Sequence, residues 1–364
     1  MNVYPLKSIT VIEAQEKQFK LVECLTHYFT GSELLTRGDL GVNKLENKPI
    51  YTSKVEKVIA EFFNAEDAIL VRGSGTGAIR YGLAGMMKAG SKLLIHDAPA
   101  YSTTQTSIEM FGLQTIIANF NDLNDIVRVI KENPDIEGAL VQYSRQKPDD
   151  SYEIGEVIKT IKENINVPIL VDDNYVVMKV DKVGYELGAD LTCFSCFKLQ
   201  GPEGIGCIVG KKDIIAKIKK MHYSGGCQVQ GHEAMDVIRG LVYAPVLLAI
   251  GAREAEKVLE LSKGVKGIKD AFIANAQSKV IMFELEDPIA KEVIIETGKR
   301  GGLPNPVGSE SKYEIAPLFY KASGTFLKIN PTYIDTMIRV NPNRASAETV
   351  LKILTESIKA VKGE

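Results

Sequence analysis

The sequence predicts an α/β fold, with a large domain built on a mostly parallel sheet and a smaller α+β domain at its C-terminal end. Two observations predict it. From Ala68 onward, apolar runs of strand length alternate with helical stretches, the βαβ rhythm of a parallel sheet covered by helices on both faces. After Met235 that rhythm gives way to a long helical segment and a different order of elements. The length, 364 residues, suits one large domain with a smaller companion.

Residues 1–50 have weak periodicity and a glycine-bearing stretch, Arg37-Gly38-Asp39-Leu40-Gly41, and are expected to form an N-terminal arm lying on a partner subunit. Residues 51–250 are expected to form the large domain. Its strands are placed at Ala68 to Val71, Lys92 to His96, Gln114 to Ala118, Gly138 to Gln142, Pro168 to Val171, Leu191 to Phe194 and Gly206 to Val209. A helical segment then runs towards Leu261. Residues 251–364 are expected to form the small domain, with a strand near Val280 to Leu285, a helix, the loop Gly301 to Pro306, two short strands and a last helix. In that helix Val350, Ile353, Leu354 and Ile358 recur at helical spacing, which reads as a face packed on the small domain.

Composition narrows the function. Hydrophobic residues are 45% and charged residues 25%, ordinary for a globular protein and wrong for a disordered one. A formal net charge of -2, without a long Lys/Arg run, argues against nucleic acid as a partner. Apolar stretches such as Leu241 to Ile250 fall short of the roughly 20 residues of a membrane span. The start, Met1 to Glu13, lacks a signal-peptide core, so a cytoplasmic location with five reduced cysteines is expected. The Cys193-Phe194-Ser195-Cys196 spacing has its first cysteine within a strand and no redox context, so it reads as buried thiols, and the four histidines show no metal spacing.

In open α/β sheets ligands gather at the carboxyl ends of the strands, and the residues with chemical potential crowd there. Lys198 follows the strand Leu191 to Phe194 and enters a turn, Leu199-Gln200-Gly201-Pro202-Glu203-Gly204. A lysine partly desolvated at such a strand end is suited to Schiff-base chemistry. Ser195, three residues earlier, is placed to reach a phosphate at the same loop. Asp172 closes the preceding strand, where a carboxylate can keep a heterocyclic ring nitrogen protonated; Asp173 is the competing candidate. Arg72-Gly73-Ser74-Gly75-Thr76-Gly77-Ala78 joins the first strand to a helix, and the amides of Gly75, Thr76 and Gly77 form a ready anion site. Tyr101, after the second strand, is placed to stack on an aromatic ring. Arg339, flanked by apolar residues in the small domain, needs an anionic partner such as a substrate α-carboxylate.

A rival reading uses the same glycine loop. Gly73-x-Gly75-x-x-Ala78, with Asp97 at the end of the next strand, satisfies a dinucleotide fingerprint and would make the chain an NAD(P)-dependent dehydrogenase. That reading leaves Lys198, Asp172 and Arg339 without a role.

Together these residues resemble the fold-type-I pyridoxal-phosphate enzymes of the aspartate aminotransferase superfamily, especially the branch of the cystathionine lyases and synthases and bacterial selenocysteine synthase. Val171-Asp172-Asp173-Asn174-Tyr175 looks like the branch's Val-Asp-Asn-Thr-aromatic segment, and Ser195-x-x-Lys198 with its Gly-Pro turn looks like its lysine motif. Tyr101-Ser102-Thr103-Thr104 keeps the stacking tyrosine, and Arg239-Gly240-Leu241 also has a counterpart. The resemblance implies the pyridoxal-phosphate-dependent transferase fold, the cofactor pyridoxal 5'-phosphate, an amino-acid substrate and a homodimer or higher homo-oligomer. It implies that Tyr51 contributes to a neighbouring subunit's phosphate site, although residue 53 is serine where the family has Tyr-x-Arg. Where the family has Asn-Pro stands Tyr143-Ser144-Arg145-Gln146-Lys147-Pro148, and Arg145 is expected to read an extra acidic group on the substrate. The expected function is that of an aminotransferase or a carbon–heteroatom lyase or transferase working through a Lys198 Schiff base. A catalytically silent pyridoxal-phosphate-binding regulator is a further alternative.

Overall fold

A computed structural model describes residues 3–275 and 279–364, with the side chain of Thr325 also outside the description. Met1 and Asn2 of the expected arm therefore lie outside the described residues. The chain divides into two compact units: Gln15–Ser144 with Ser151–Pro245, and the residues up to Ala14 with Arg145–Asp150 and Val246–Glu364.

The large unit is wound as α1 (Val11–Tyr28), α2 (Gly31–Leu34), α3 (Ile50–Phe62), β1 (Asp67–Arg72), α4 (Ser74–Met86), β2 (Lys92–His96), α5 (Ser102–Met110), β3 (Gln114–Ala118), α6 (Leu123–Glu132) and β4 (Ile136–Gln142). It continues through α7 (Ile154–Asn164), β5 (Ile169–Asp172), β6 (Leu191–Ser195), β7 (Ile205–Gly210), α8 (Lys212–Met221) and the first part of α9 (Gly231–Ser262). The sheet order is β1-β7-β6-β5-β4-β2-β3. β7 runs antiparallel to both neighbours, and the remaining pairs are parallel. All seven expected strands are present.

Alternation along the strands builds a core on each face of the sheet. Leu140, Leu170, Leu191 and Ile208 face one cluster with Leu83 and Ile215, whereas Val141, Val171 and Ile169 face another with Ile126, Val157 and Ile161. The dinucleotide reading needs its first strand paired in parallel within the sheet. β1 instead lies at the sheet edge and pairs only with antiparallel β7, so the glycine loop does not open a dinucleotide fold.

The stretch before α3 is fastened to its own chain. Lys20 donates to the Phe62 carbonyl at 2.7 Å and Arg239 to that of Thr36 at 2.6 Å. α3 begins after Pro49, which offers no side-chain cap, and Asp39 takes that role by accepting from the N–H groups of Ile50 at 2.7 Å and Tyr51 at 3.0 Å. Gly38 is required beside it, because its φ is +94° and a Cβ there would stand 2.5 Å from the Gly231 carbonyl carbon.

The small unit contains the second part of α9, then β8 (Ile268–Ile273), β9 (Ile281–Leu285), α10 (Ala290–Lys299), β10 (Leu318–Lys321), α11 (Thr325–Ile329), α12 (Tyr333–Thr336), β11 (Met337–Asn341) and α13 (Ala347–Lys362). Its antiparallel sheet has the order β10-β11-β9-β8, and Phe283, Phe319 and Val340 pack with Val293 of α10 and Leu354 of α13. β8 is absent from the expected elements. It is an edge strand whose Lys269 and Asp270 are exposed, so its sequence lacks a regular apolar face.

Candidate active site

The ends of β5 and β6 place two expected residues side by side. These strands are parallel neighbours with Asp172 opposite Cys193, and Lys198 follows in a tight helical turn, Phe197–Leu199. The N–H groups of Leu199 and Gly201 both bond the Cys196 carbonyl at 3.0 Å. Gln200 takes a left-handed φ of 67°, and a Cβ on Gly201 would stand 2.8 Å from that same carbonyl oxygen. The Gly-Pro turn thus fixes the lysine by close backbone approach. Ser195 is buried at the end of β6.

The glycine loop is tied to the same turn. Gly204 accepts from the N–H of Gly73 at 2.8 Å and of Ser74 at 3.0 Å. Gly77 donates back to the Gly73 carbonyl at 2.8 Å, and a Cβ on Gly77 would lie 2.0 Å from the Arg72 oxygen. The amides of Gly75 and Thr76, in the first turn of α4, have no partner among the described residues. The start of this helix therefore retains two open donors and the positive end of its dipole, an arrangement suited to a phosphate. The Thr76 hydroxyl meets that of Thr103 in α5 at 2.9 Å, joining two helix starts.

Asn174 connects the loop to the carboxylate. Its Nδ2 donates to Asp172 Oδ1 at 2.7 Å, and a Cβ on Gly75 would stand 1.9 Å from Asn174 Oδ1. Burial pushes the Asp172 carboxyl up, while bonds from Asn174 and the charge of Lys198 pull it back. Asp173 has a different environment: it is fully buried, accepts from the Gly184 N–H at 3.1 Å, and leaves Oδ1 without a partner. Burial, opposed by a Thr192 hydrogen bond, pushes its carboxyl up to about 8. Of the two aspartates, Asp172 is the one that senses Lys198. The Nζ of Lys198 itself sits 3.4 Å from the ring centroid of Tyr175.

Tyr101 precedes α5 and is 54% exposed, leaving its ring accessible. The Tyr51 ring lies 5.8 Å from that of Phe29. Arg239 donates to arm carbonyls. Within the small unit, Arg145 is buried and donates to the carbonyl of Tyr4. Arg339 is buried on β11 over the Tyr320 ring, 4.6 Å from its centroid, and donates to Ser323 Oγ at 2.8 Å. Its Nε is buried without a partner, and no carboxylate among the described residues pairs with it. Asn174, Tyr175 and Gly204 had no role assigned in the sequence. The signals were there, an amide and an aromatic following Asp172 and a glycine ending the lysine turn, but their partners come from other strands.

These features agree with what the chain resembles. A family model for Cys/Met metabolism PLP-dependent enzymes matches residues 47–263, and one for the YhfS-like C-terminal domain matches residues 256–354. The chain belongs to the Cys/Met metabolism family of pyridoxal-phosphate-dependent enzymes. It is 52% identical to the protein YhfS of Escherichia coli (strain K12), over 99% of this chain and 100% of that one. A crystal structure of the pyridoxal-5'-phosphate dependent protein YhfS from Escherichia coli superposes with a TM-score of 0.97, at 52% identity and with 99% and 100% of the two chains covered. The fold is also that of a cystathionine gamma synthase from Xanthomonas oryzae pv. oryzae, with TM-score 0.72, 16% identity and coverage of 95% and 98%. The chain is accordingly a pyridoxal-phosphate-dependent enzyme of that family.

Proposed function

We propose that this enzyme catalyses elimination or replacement of a heteroatom substituent at the β- or γ-carbon of an amino acid, with Lys198 as the attachment point of the cofactor and the base for the α-proton. The observation that carries the reading is the juxtaposition of Lys198 and Asp172 at adjacent strand ends, beside the open amides of Gly75 and Thr76. Those amides, with Gly77 shaping the turn and Ser195 nearby, would hold the phosphate. Asp172, oriented by Asn174, would hold a proton on the ring nitrogen, and the exposed Tyr101 ring would cover the pyridine face. The bound cofactor supplies an electron sink for charge left on the α-carbon when its proton departs. Lys198 would remove that proton and return it, general acid–base work typically contributing about 10²- to 10⁴-fold. Arg339 would bind the α-carboxylate through the guanidinium edge that carries its unpartnered Nε, and Arg145 would read a second acidic group.

The test is product analysis of the purified enzyme supplied with single amino acids. Without an added oxo-acid acceptor, the expected result is ammonia and a 2-oxo acid from elimination, or a substituted amino acid formed when a thiol is also supplied, from replacement. A strict need for such an acceptor means transamination, and no turnover of any amino acid with or without an added thiol means a silent binding protein. Borohydride reduction followed by mass spectrometry should place the cofactor mass on the peptide containing Lys198; another lysine there would overturn the assignment.

We further propose a homodimer, supported by the exposed apolar side chains of Leu35, Leu40, Val42 and Leu45. A cytoplasmic location is supported by the five cysteines, all free.

A further inference from the structure

We infer that Tyr175 is the seat of the Lys198 ammonium: its ring face holds the amine when the lysine is free of the cofactor and protonated, and so fixes where the proton-carrying group stands. The inference rests on the proposed role of Lys198.

The geometry is specific. Lys198 Nζ lies 3.4 Å from the Tyr175 ring centroid, in contact with the centre of the π face and not with the hydroxyl. Among the described residues no oxygen accepts a hydrogen bond from this Nζ and no carboxylate forms an ion pair with it. The ring is its near partner, while Asp172 acts on it through space. An aromatic face attracts a cation through its quadrupole and has no comparable hold on a neutral amine. The backbone that carries the ring is tied down on both sides. Tyr175 lies in the turn after β5, where Val176 and Val177 donate to the Asp173 carbonyl at 3.0 and 3.3 Å, and Asn174 is anchored to Asp172 on one side while Val176, Val177 and Met178 are buried on the other.

The consequence for the reaction follows from the proton. As the α-C–H bond breaks, the lone pair of Lys198 Nζ would take the proton into a new N–H bond, and a bound cofactor would supply the sink for the electron pair left on carbon. At that moment the lysine becomes an ammonium, the form the ring stabilises. Tyr175 therefore favours the proton-loaded lysine and holds it in one place until the proton is handed on. Tyr175 is a positioning residue acting through Lys198, and its ring, not its hydroxyl, carries the effect.

The experiment compares the full-length chain with Tyr175→Phe and Tyr175→Met, each freed of cofactor and labelled briefly with acetic anhydride, which reacts only with uncharged amines. Mass spectrometry reads the Lys198 peptide against exposed Lys217 as an internal reference. At neutral pH, Tyr175→Met should raise relative labelling of Lys198 roughly 2- to 30-fold, the range expected for a lost cation–π contact, and Tyr175→Phe should stay within about twofold of the parent. At about pH 11, where lysines are largely uncharged, the three proteins should converge. Unchanged labelling in Tyr175→Met, a Phe variant that behaves like Met, or a difference that persists at alkaline pH would each overturn the inference, the last because it reports exposure and not charge. Cofactor capture on the same samples separates the two claims. A parent chain that binds no cofactor at Lys198 sinks the functional reading, while the labelling ratios still decide the role of Tyr175.

Discussion

Asp172 and Asp173 are consecutive, yet their surroundings direct them to different tasks. Asp172 meets an amide donor and senses a lysine charge, whereas Asp173 is enclosed and its carboxyl is raised to about 8. In the range from about pH 4 to about 8 the folded state keeps the Asp173 proton and the unfolded chain has released it. The unfolded state then binds fewer protons, so stability falls as pH rises through that window and levels off above it. Asn has the shape of the neutral acid and can still accept from Gly184. Asp173→Asn should therefore gain thermal stability over the parent, by at least about 1 kcal/mol at pH 8, with a smaller gain at pH 5. A gain of equal size at both pH values would show that Asp173 does not titrate there. Arg339 carries the companion prediction for the small unit. Its guanidinium carbon lies 4.6 Å from the Tyr320 ring centroid while Nε is buried without a partner, an arrangement lysine cannot reproduce. Arg339→Lys should weaken amino-acid binding by roughly 2 to 5 kcal/mol while leaving the cofactor absorbance unchanged. Unaltered binding in a spectral titration would return the residue to a structural role. Lys198, Asp172 and the glycine loop were legible in the sequence because each has a chemistry that its position advertises. Asn174 was not, since an amide declares neither which carboxylate it will orient nor which glycine must yield to it.

The elements were legible where burial imposes a period. The central strands of the large sheet have one answer because they alternate between two buried faces, Leu140 against Val141 and Leu170 against Val171. β8 was illegible because an edge strand tolerates Lys269 and Asp270 in solvent, which erases the pattern. The start of α3 was hidden for another reason: its cap comes from ten residues upstream of Pro49. Asp39 occupies the first two amides of that helix, and its own carbonyl accepts from Gly231 at 3.0 Å, so one residue fastens the arm stretch, α3 and the beginning of α9. Asp39→Ala should lower stability by about 0.5 to 2 kcal/mol, the usual cost of a lost N-cap. The loosening should be local. Limited proteolysis should cut the variant between Thr36 and Pro49 faster than the parent, and equal cutting rates would mean that the remaining contacts of the stretch suffice without the cap.

At the scale of the whole molecule, the apolar surface is the telling quantity. A soluble chain normally shows single exposed apolar side chains, and a run of them along one segment marks a surface that something covers. Leu35, Leu40 and Leu45 are exposed at 89%, 75% and 92%, and Val42 at 43%, all within eleven residues that are nonetheless fastened to the large unit by Asp39 and Arg239. An anchored backbone with outward leucines is poorly explained as a frayed terminus, because nothing in the chain's own packing requires those residue types. Burying each of the three leucines would contribute roughly 1.5 to 3 kcal/mol, and in a symmetric pair both copies contribute, so the patch offsets a large part of the cost of association. A symmetric pair is the commonest way for one patch to be covered, since a two-fold axis brings the same surface to itself. The enzyme should therefore sediment as a dimer or larger symmetric assembly at micromolar concentration. Leu35→Glu combined with Leu45→Glu should shift it towards the monomer, because two charges a side would enter an apolar contact, and the monomer should keep its fold by circular dichroism. If the parent sediments as a monomer while fully loaded with cofactor, those leucines have another partner and the dimer is wrong. If the double variant remains a dimer, the interface lies elsewhere on the molecule.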